Sequence, residues 1–439
     1  VPALELRTAG GSLNAGKLKS ALRLVTTFLA GHGALQGLNI ITGLFLIRAL
    51  SIEAYAQYSL AMAFQITAVS LTNLGLTDSI IPLVGSQGKD LAIVGKYVRA
   101  ARALRTRLFL LVAPCCAAAF YALVRSHHWS SASFAVLLIS ILASLYWSVS
   151  IACWSAPLIL NHRLSDYYLG QLAATAARLV IYLVASIGRV LSAGFAAAVT
   201  AVSLLLNGAI AKRLAAPFVD MSQPVDPAAK REVLRFMLPM TPAAIFAAFQ
   251  PQIALFLVSI AGQTLQIAQI AALSRIAQLF LVVNMFNSLV LEPFVARVSA
   301  ERIATVYARV LGATLLLGAL ITSLAFAFPG VLLWLLGAKY QDLRAVIGWV
   351  VLASCMSSGA NVVWVMNRAR RWMFWRGSLL EIACLIVFQT AYVVIFGVRT
   401  TTTAALFMLA GGAAHLVTHV YVMIYGFSHH RYAVAPAPH

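Results

Sequence analysis

Negative charge is what this chain has least of: 12 Asp and Glu stand against 32 Lys and Arg in 439 residues, a net charge of +20. Charged residues of both signs make up 10% of the sequence. A soluble domain carries roughly a quarter, so a water-soluble globule of this length is excluded. The five cysteines (Cys115, Cys116, Cys153, Cys355, Cys384) lie inside apolar runs and offer no spaced framework for disulfides. Alternating segments of about ten residues, the mark of a transmembrane barrel, are lacking. So are a glycine-rich phosphate loop, paired carboxylates and a nucleophile triad, which argues against an enzyme and against a cofactor. The stretch from Val1 to Gly16 holds Glu5 and little apolar length, so it does not read as a cleavable signal peptide.

What is present is apolar. Hydrophobic residues reach 62%, in runs many of which approach or exceed the roughly 20 residues needed to cross hydrocarbon. The expectation is an all-α polytopic membrane protein, multi-pass in a bacterial inner membrane. Its twelve spans fall at about 24–47, 55–81, 107–124, 133–160, 167–188, 190–211, 236–261, 265–292, 306–328, 345–367, 377–397 and 403–427. With the N-terminus inside, 24 of the 32 Lys and Arg fall on inside segments, 6 on outside loops, and Arg178 and Arg275 within spans. That asymmetry predicts cytoplasmic N- and C-termini. The positive charge therefore reads as a topology signal with some attraction to anionic lipid, and not as a nucleic-acid surface. Arg99, Arg102 and Arg105 recur every third residue, which suggests a basic interfacial helix leading into the third span.

The chain divides near its middle. A Pro- and charge-containing stretch, 212–235, reads as a cytoplasmic linker between six-helix lobes at 1–211 and 236–427, with a cytoplasmic tail at 428–439. Leu44-Phe45-Leu46 begins 38 residues before Pro82, and Leu255-Phe256-Leu257 begins 38 before Pro293. A shared spacing between a helix end and a proline implies a repeat. Six spans per half make the repeats parallel, an arrangement in which transporters place the substrate path between halves.

Ionisable and amide groups inside spans cost free energy and so face a bundle interior or water. Tyr168, Gln171, Thr175, Arg178 and Tyr182 follow spacings of three and four, one face of a helix. Such a stripe suits a water-filled cavity, although Arg178 could instead pair with an internal acid such as Glu381. His32, Gln36, Asn39 and Gly43 form a second stripe, and Arg275 shares a face with Gln278. His32 reads as a hydrogen-bonded interior histidine. His415 and His419 stand one turn apart, a spacing that permits joint metal binding. With no carboxylate or cysteine near them in sequence, packing or proton handling is expected there and no metal site is assigned. Pro239, Pro242 and Pro251 interrupt the seventh span, and Pro251 between Gln250 and Gln252 suggests a bend.

The tract Ile47-Arg48-Ala49-Leu50-Ser51-Ile52-Glu53-Ala54-Tyr55-Ala56-Gln57-Tyr58 resembles the first hairpin of Wzx-type polysaccharide-biosynthesis flippases of the MOP superfamily. Ala56 and Gln57 stand where that family usually has a glycine. Asn73-Leu74-Gly75-Leu76 resembles the element closing its second helix, and Leu238-Pro239 through Ser274-Arg275 to Glu292-Pro293 resembles the second-half hairpin. An acid frequent in the family's seventh helix is absent, with Gln252 and Ala254 near its place.

The resemblance implies two six-helix lobes in a V and alternating access. The implied cargo is an undecaprenyl-pyrophosphate-linked oligosaccharide repeat unit, moved for surface or exopolysaccharide assembly, possible partners being a polysaccharide polymerase and other assembly proteins. An anionic head group suits buried guanidinium groups. Arg178 and Arg275 are thus expected to attract it, with Arg48 at the outer mouth. His32, Gln36, Asn39, Tyr168, Gln171, Thr175, Tyr182 and Gln278 are expected to line the cavity for sugar hydroxyls. Asp78 and Glu381 are the candidates for coupling to H+ or Na+. A MATE-like multidrug or cation exporter is the nearest alternative, and a polymerase or ligase the more distant one.

Overall fold

An apolar run immersed in hydrocarbon must satisfy its own backbone donors and acceptors, which leaves a helix as its solution. The computed structural model describes residues 15–429 other than 75, 85, 86, 128, 162, 223, 239, 240, 262, 300, 371 and 373, and these contain helices and no strand. Two compact units form. One holds the described residues up to Thr42 together with Ala61–Pro251, the other Gly43–Leu60 together with the described residues from Gln252 onward. Among the described residues, ten helical stretches are long and apolar enough to cross a membrane. The outer face is greasy, with Leu316 75% and Val394 78% exposed, as a lipid-contacting surface requires. The chain is a multi-pass α-helical membrane protein.

Helices α1 (Ala15–Ala49) and α2 (Ile52–Asn73) are divided between the units. The first unit continues with α3 (Leu76–Val84), α4 (Leu91–Val124), α5 (Ser131–Leu160), α6 (Leu164–Ile187), α7 (Ala193–Ala215), α8 (Pro227–Met237) and α9 (Thr241–Phe249). Side-chain caps begin several of them: Asp90 accepts from the Ala92 and Ile93 amides, and Ser192 accepts from that of Phe195. The core joins α3, α4, α5, α7 and α8 through residues such as Ile80, Val98, Trp154, Ala215 and Val233.

The arginine tract and the span it leads into form a single helix, which Asp90 starts and which runs unbroken to Val124. Steps of three residues fall about 60° short of a full turn, so the charges drift round the helix. Arg99 and Arg105 are buried while Arg102 is exposed.

The stretch read as a linker packs closely on α4. The Asp220 amide donates to the Leu91 carbonyl at 3.0 Å, and a Cβ at Gly95 would collide with the Asp220 carbonyl oxygen. Lys96 pairs with Asp226 at 2.9 Å, and the Tyr97 hydroxyl donates to Glu232 at 2.7 Å.

The second unit contains α10 (Ile253–Ala261), α11 (Thr264–Leu279), α12 (Leu281–Phe286), α13 (Glu292–Arg297) and α14 (Ile303–Ala327). It continues with α15 (Pro329–Leu336), α16 (Ile347–Ala369), α17 (Trp375–Phe396) and α18 (Thr401–His429). A π-helical turn, Asn287–Leu291, joins α12 to α13, and there Asn287 donates to Asn361 of α16 at 3.3 Å. Gly337 and Gly397, at φ of 99° and 67°, end α15 and α17, a conformation glycine adopts without penalty. Glu292 accepts two hydrogen bonds from Arg368, whose guanidinium lies 4.2 Å from the Trp364 ring centroid.

The ten long helices match ten of the twelve predicted spans. The other two, 55–81 and 236–261, are broken. The first divides into α2 and α3 at Leu74, whose φ is 38°. The second is interrupted by a 3-10 turn at Gln250–Gln252, where Pro251 lacks the amide a continuous helix needs. Pro239 and residues 430–439 lie outside the described residues.

Candidate transport site

The polar stripe on α6 meets α1 and α7 within the first unit. Arg178 donates through Nη2 to the Asn39 side-chain oxygen at 2.8 Å. Its Nε is buried with no acceptor among the described residues. Arg178, Asn39, Gln171, Thr175, Ser203 and Asn207 line a cavity of about 180 Å³. A second cavity of about 420 Å³ shares Gln171, Leu204 and Asn207 with it and adds Arg105, Ser70, Asn73, Ser148, Ser155 and Tyr167. Among the described residues, the two linings together hold two arginines and no carboxylate. An unmatched donor in a small polar space is a place for an anion or its hydrogen-bonding substituents.

Not every predicted lining residue reaches these cavities. Tyr168 is buried and packs over Gly31, where a Cβ would stand 2.5 Å from its ring, and its ring meets His32 edge-on at 6.3 Å. The Tyr182 hydroxyl lies 2.8 Å from both the Ala196 carbonyl and the Thr200 hydroxyl, tying α6 to α7. Gln36 is half-buried on α1 and belongs to neither lining.

Arg275 and Arg48 lie in the second unit. Arg275 reaches the Tyr55 hydroxyl at 3.4 Å and Gln278 at 3.1 Å. Gly43 makes room for it, since a Cβ there would be 3.1 Å from the guanidinium. Arg48 donates to the Trp334 and Leu335 carbonyls at the end of α15 and stands 5.0 Å from the Trp334 ring centroid. A cation there complements the negative end of that helix. Lys339 donates to the Arg48 and Leu50 carbonyls, and burial pushes its ammonium below the usual lysine range.

The two coupling candidates differ. Asp78 falls in α3, and its side chain lies outside the described residues. Glu381 lies within the second unit, where its Oε1 is 2.9 Å from His415 Nδ1 and 3.7 Å from His419 Nε2. The premise that no carboxylate stands near the two histidines is thereby corrected, because α17 and α18 pack side by side and bring together residues 34 apart in sequence.

Sequence reading also missed Arg105 and Asn207. Arg105 belongs to a basic tract that reads as an interfacial signal, which masks its burial. Asn207, an amide one turn beyond Ser203 in an otherwise apolar span, carried a usable signal.

No family model matches the sequence, and no curated protein does. Solved structures do match. An inward-facing multidrug resistance MATE family transporter of the MOP superfamily superimposes with a TM-score of 0.66 at 17% identity, over 90% of this chain and 94% of that one. A MOP superfamily transporter from Pyrococcus furiosus, described as having a binding pocket of reverse polarity that suggests a different function, gives 0.63 at 16% identity over 93% and 94%. An outward-facing multidrug resistance MATE family transporter gives 0.56 at 14% over 93% and 94%. This chain has the MATE-type fold found in transporters of the MOP superfamily.

Proposed function

We propose that this chain is an alternating-access membrane transporter whose cargo carries a negatively charged head group. The carrying observation is the Arg178 Nε, a buried donor without an acceptor, beside a lining that contains Arg105 and no carboxylate, both among the described residues. A cationic drug would need acids in that position, whereas a pyrophosphate needs donors and positive charge. The finer reading is a flippase for an undecaprenyl-pyrophosphate-linked oligosaccharide, with Asn39, Gln171, Thr175 and Asn207 offering hydrogen bonds to sugars. That a transporter of this fold is described with reversed pocket polarity and a different function supports letting the lining decide the cargo.

A multidrug exporter is the second reading. It draws on the description of the fold relatives and on the Glu381 carboxylate within the second unit, a candidate for H+ or Na+ coupling.

Deleting the gene and restoring it as wild type or Arg178→Ala separates the two. The flippase reading expects lipid-linked repeat units to accumulate on the cytoplasmic leaflet in the deletion and in the variant, with the variant protein folded in the membrane. Normal polymer export by the variant, or drug sensitivity without any lipid-linked intermediate, would overturn it.

A further inference from the structure

We propose that Glu381, His415 and His419 form a binding site for a divalent transition-metal ion of the Zn2+ class, bridging α17 and α18. This is independent of what the transporter carries.

One ligand atom from each of the three side chains lies within 4.8 Å of the others. Two imidazoles and one carboxylate are the donor set of open, three-ligand zinc sites. Metal–ligand bonds of about 2.0–2.2 Å in a tetrahedron put ligand atoms roughly 3.4 Å apart. The observed 2.9 Å and 3.7 Å from Glu381 Oε1 to the two imidazole nitrogens bracket that spacing. The two rings are stacked, 6.2 Å between centroids and 22° between planes, so both nitrogens reach the carboxylate from the same side of α18.

The backbone beneath the trio is held in place. Asn367 of α16 donates to the His419 carbonyl at 3.0 Å. A Cβ at Gly412 would be 3.2 Å from the Ala353 carbonyl oxygen, and one at Gly377 would be 2.8 Å from Val422, so α18 lies close to α16 and α17. His419 is nearly buried, whereas the Glu381 and His415 side chains are about 30% exposed. That leaves access for an ion and for a fourth ligand.

The chemistry favours a borderline metal over an alkali ion. Hard cations take shells of oxygen ligands, whereas imidazole suits zinc, copper and nickel. A bound dication would also neutralise the carboxylate and tie the two helices together.

The test uses the tag-free full-length chain in detergent, with Co2+ as a spectroscopic probe and Zn2+ as competitor. One equivalent of Co2+ is expected to give the intense visible bands of a tetrahedral N/O site, displaced by one equivalent of Zn2+ and retained in 100 mM Na+ (about the ionic strength of ordinary buffers). Glu381→Gln and His415→Gln should each weaken binding by at least about 10-fold, while His429→Gln, near the exposed end of α18, should leave it unchanged. Absence of saturable binding by the wild-type chain would overturn the site, as would displacement of Co2+ by Na+. Wild-type affinity in a monodisperse, helical Glu381→Gln protein would do the same. If that variant fails to fold, the wild-type stoichiometry and His415→Gln decide the matter.

Discussion

Arg178 donates to Asn39 across 139 residues of sequence, at 2.8 Å, and so sets one amide and one guanidinium on the wall of a common cavity. The amide carries no charge, and among the described residues Arg178 makes no ion pair. Replacing Asn39 by Asp would pair the Arg178 charge within the wall. The expected outcome is loss of anionic-cargo transport by at least about 10-fold, the equivalent of about 1.4 kcal/mol, in a protein whose thermal stability is unchanged or raised. Transport assays alongside melting in detergent check this; undiminished transport by Asn39→Asp would remove Arg178 as a charge-based recognition element.

Tyr182 gives the opposite expectation. Its hydroxyl is fully buried between the Ala196 carbonyl and the Thr200 hydroxyl. Tyr182→Phe should therefore cost about 1 kcal/mol of stability and leave transport intact. A transport defect without destabilisation would return this residue to the cargo path.

The two hydrogen bonds from Arg368 to Glu292 join α16 to α13 beside Trp364. Both side chains keep partial exposure, 35% and 25%, so solvent screening reduces what the pair contributes. A double-mutant cycle with Glu292→Gln and Arg368→Met should give a coupling of about 1 kcal/mol. A value indistinguishable from zero would mean that packing on Trp364 alone holds Arg368.

Acid should loosen α8. The Lys96 ammonium, with the Ala228 amide, holds the Asp226 carboxyl below the usual carboxylate range. A depressed folded-state value means that the ionised form stabilises the docked helix above the unfolded value, and that this contribution is lost as pH falls through the folded one. Hydrogen exchange across 227–237, corrected for intrinsic rates, should be level from pH 5 to 8 and rise below about pH 4. Asp226→Asn should remove that acid limb while keeping the cap. A wild-type profile identical to that of Asp226→Asn would show that the ion pair contributes nothing.

Much of the fold was legible because hydropathy and helix length are local properties. The predicted spans 377–397 and 403–427 correspond to α17 and α18 within two residues. Breaks were partly legible: Pro251 announced the 3-10 turn, whereas nothing marked Leu74 for positive φ beyond the glycine that follows it. Helical periodicity places Gln171, Thr175 and Arg178 on one face, but it cannot say that Tyr182, one turn further, meets the α7 backbone instead of a cavity. The Glu381 cluster was out of reach, since its distances depend on which helix packs beside α18. Arg105 was hidden by its neighbours, whose charge made burial the less natural reading.

Gly95 has a wider meaning for how this protein can vary. Any side chain there would prise the backbone around Asp220 away from α4, and with it the short helix gripped by Lys96 and Tyr97. Change at position 95 is therefore tied to change in the path of residues 219–222: a mutational scan should find the glycine intolerant alone and rescued only by altering the segment that lies over it.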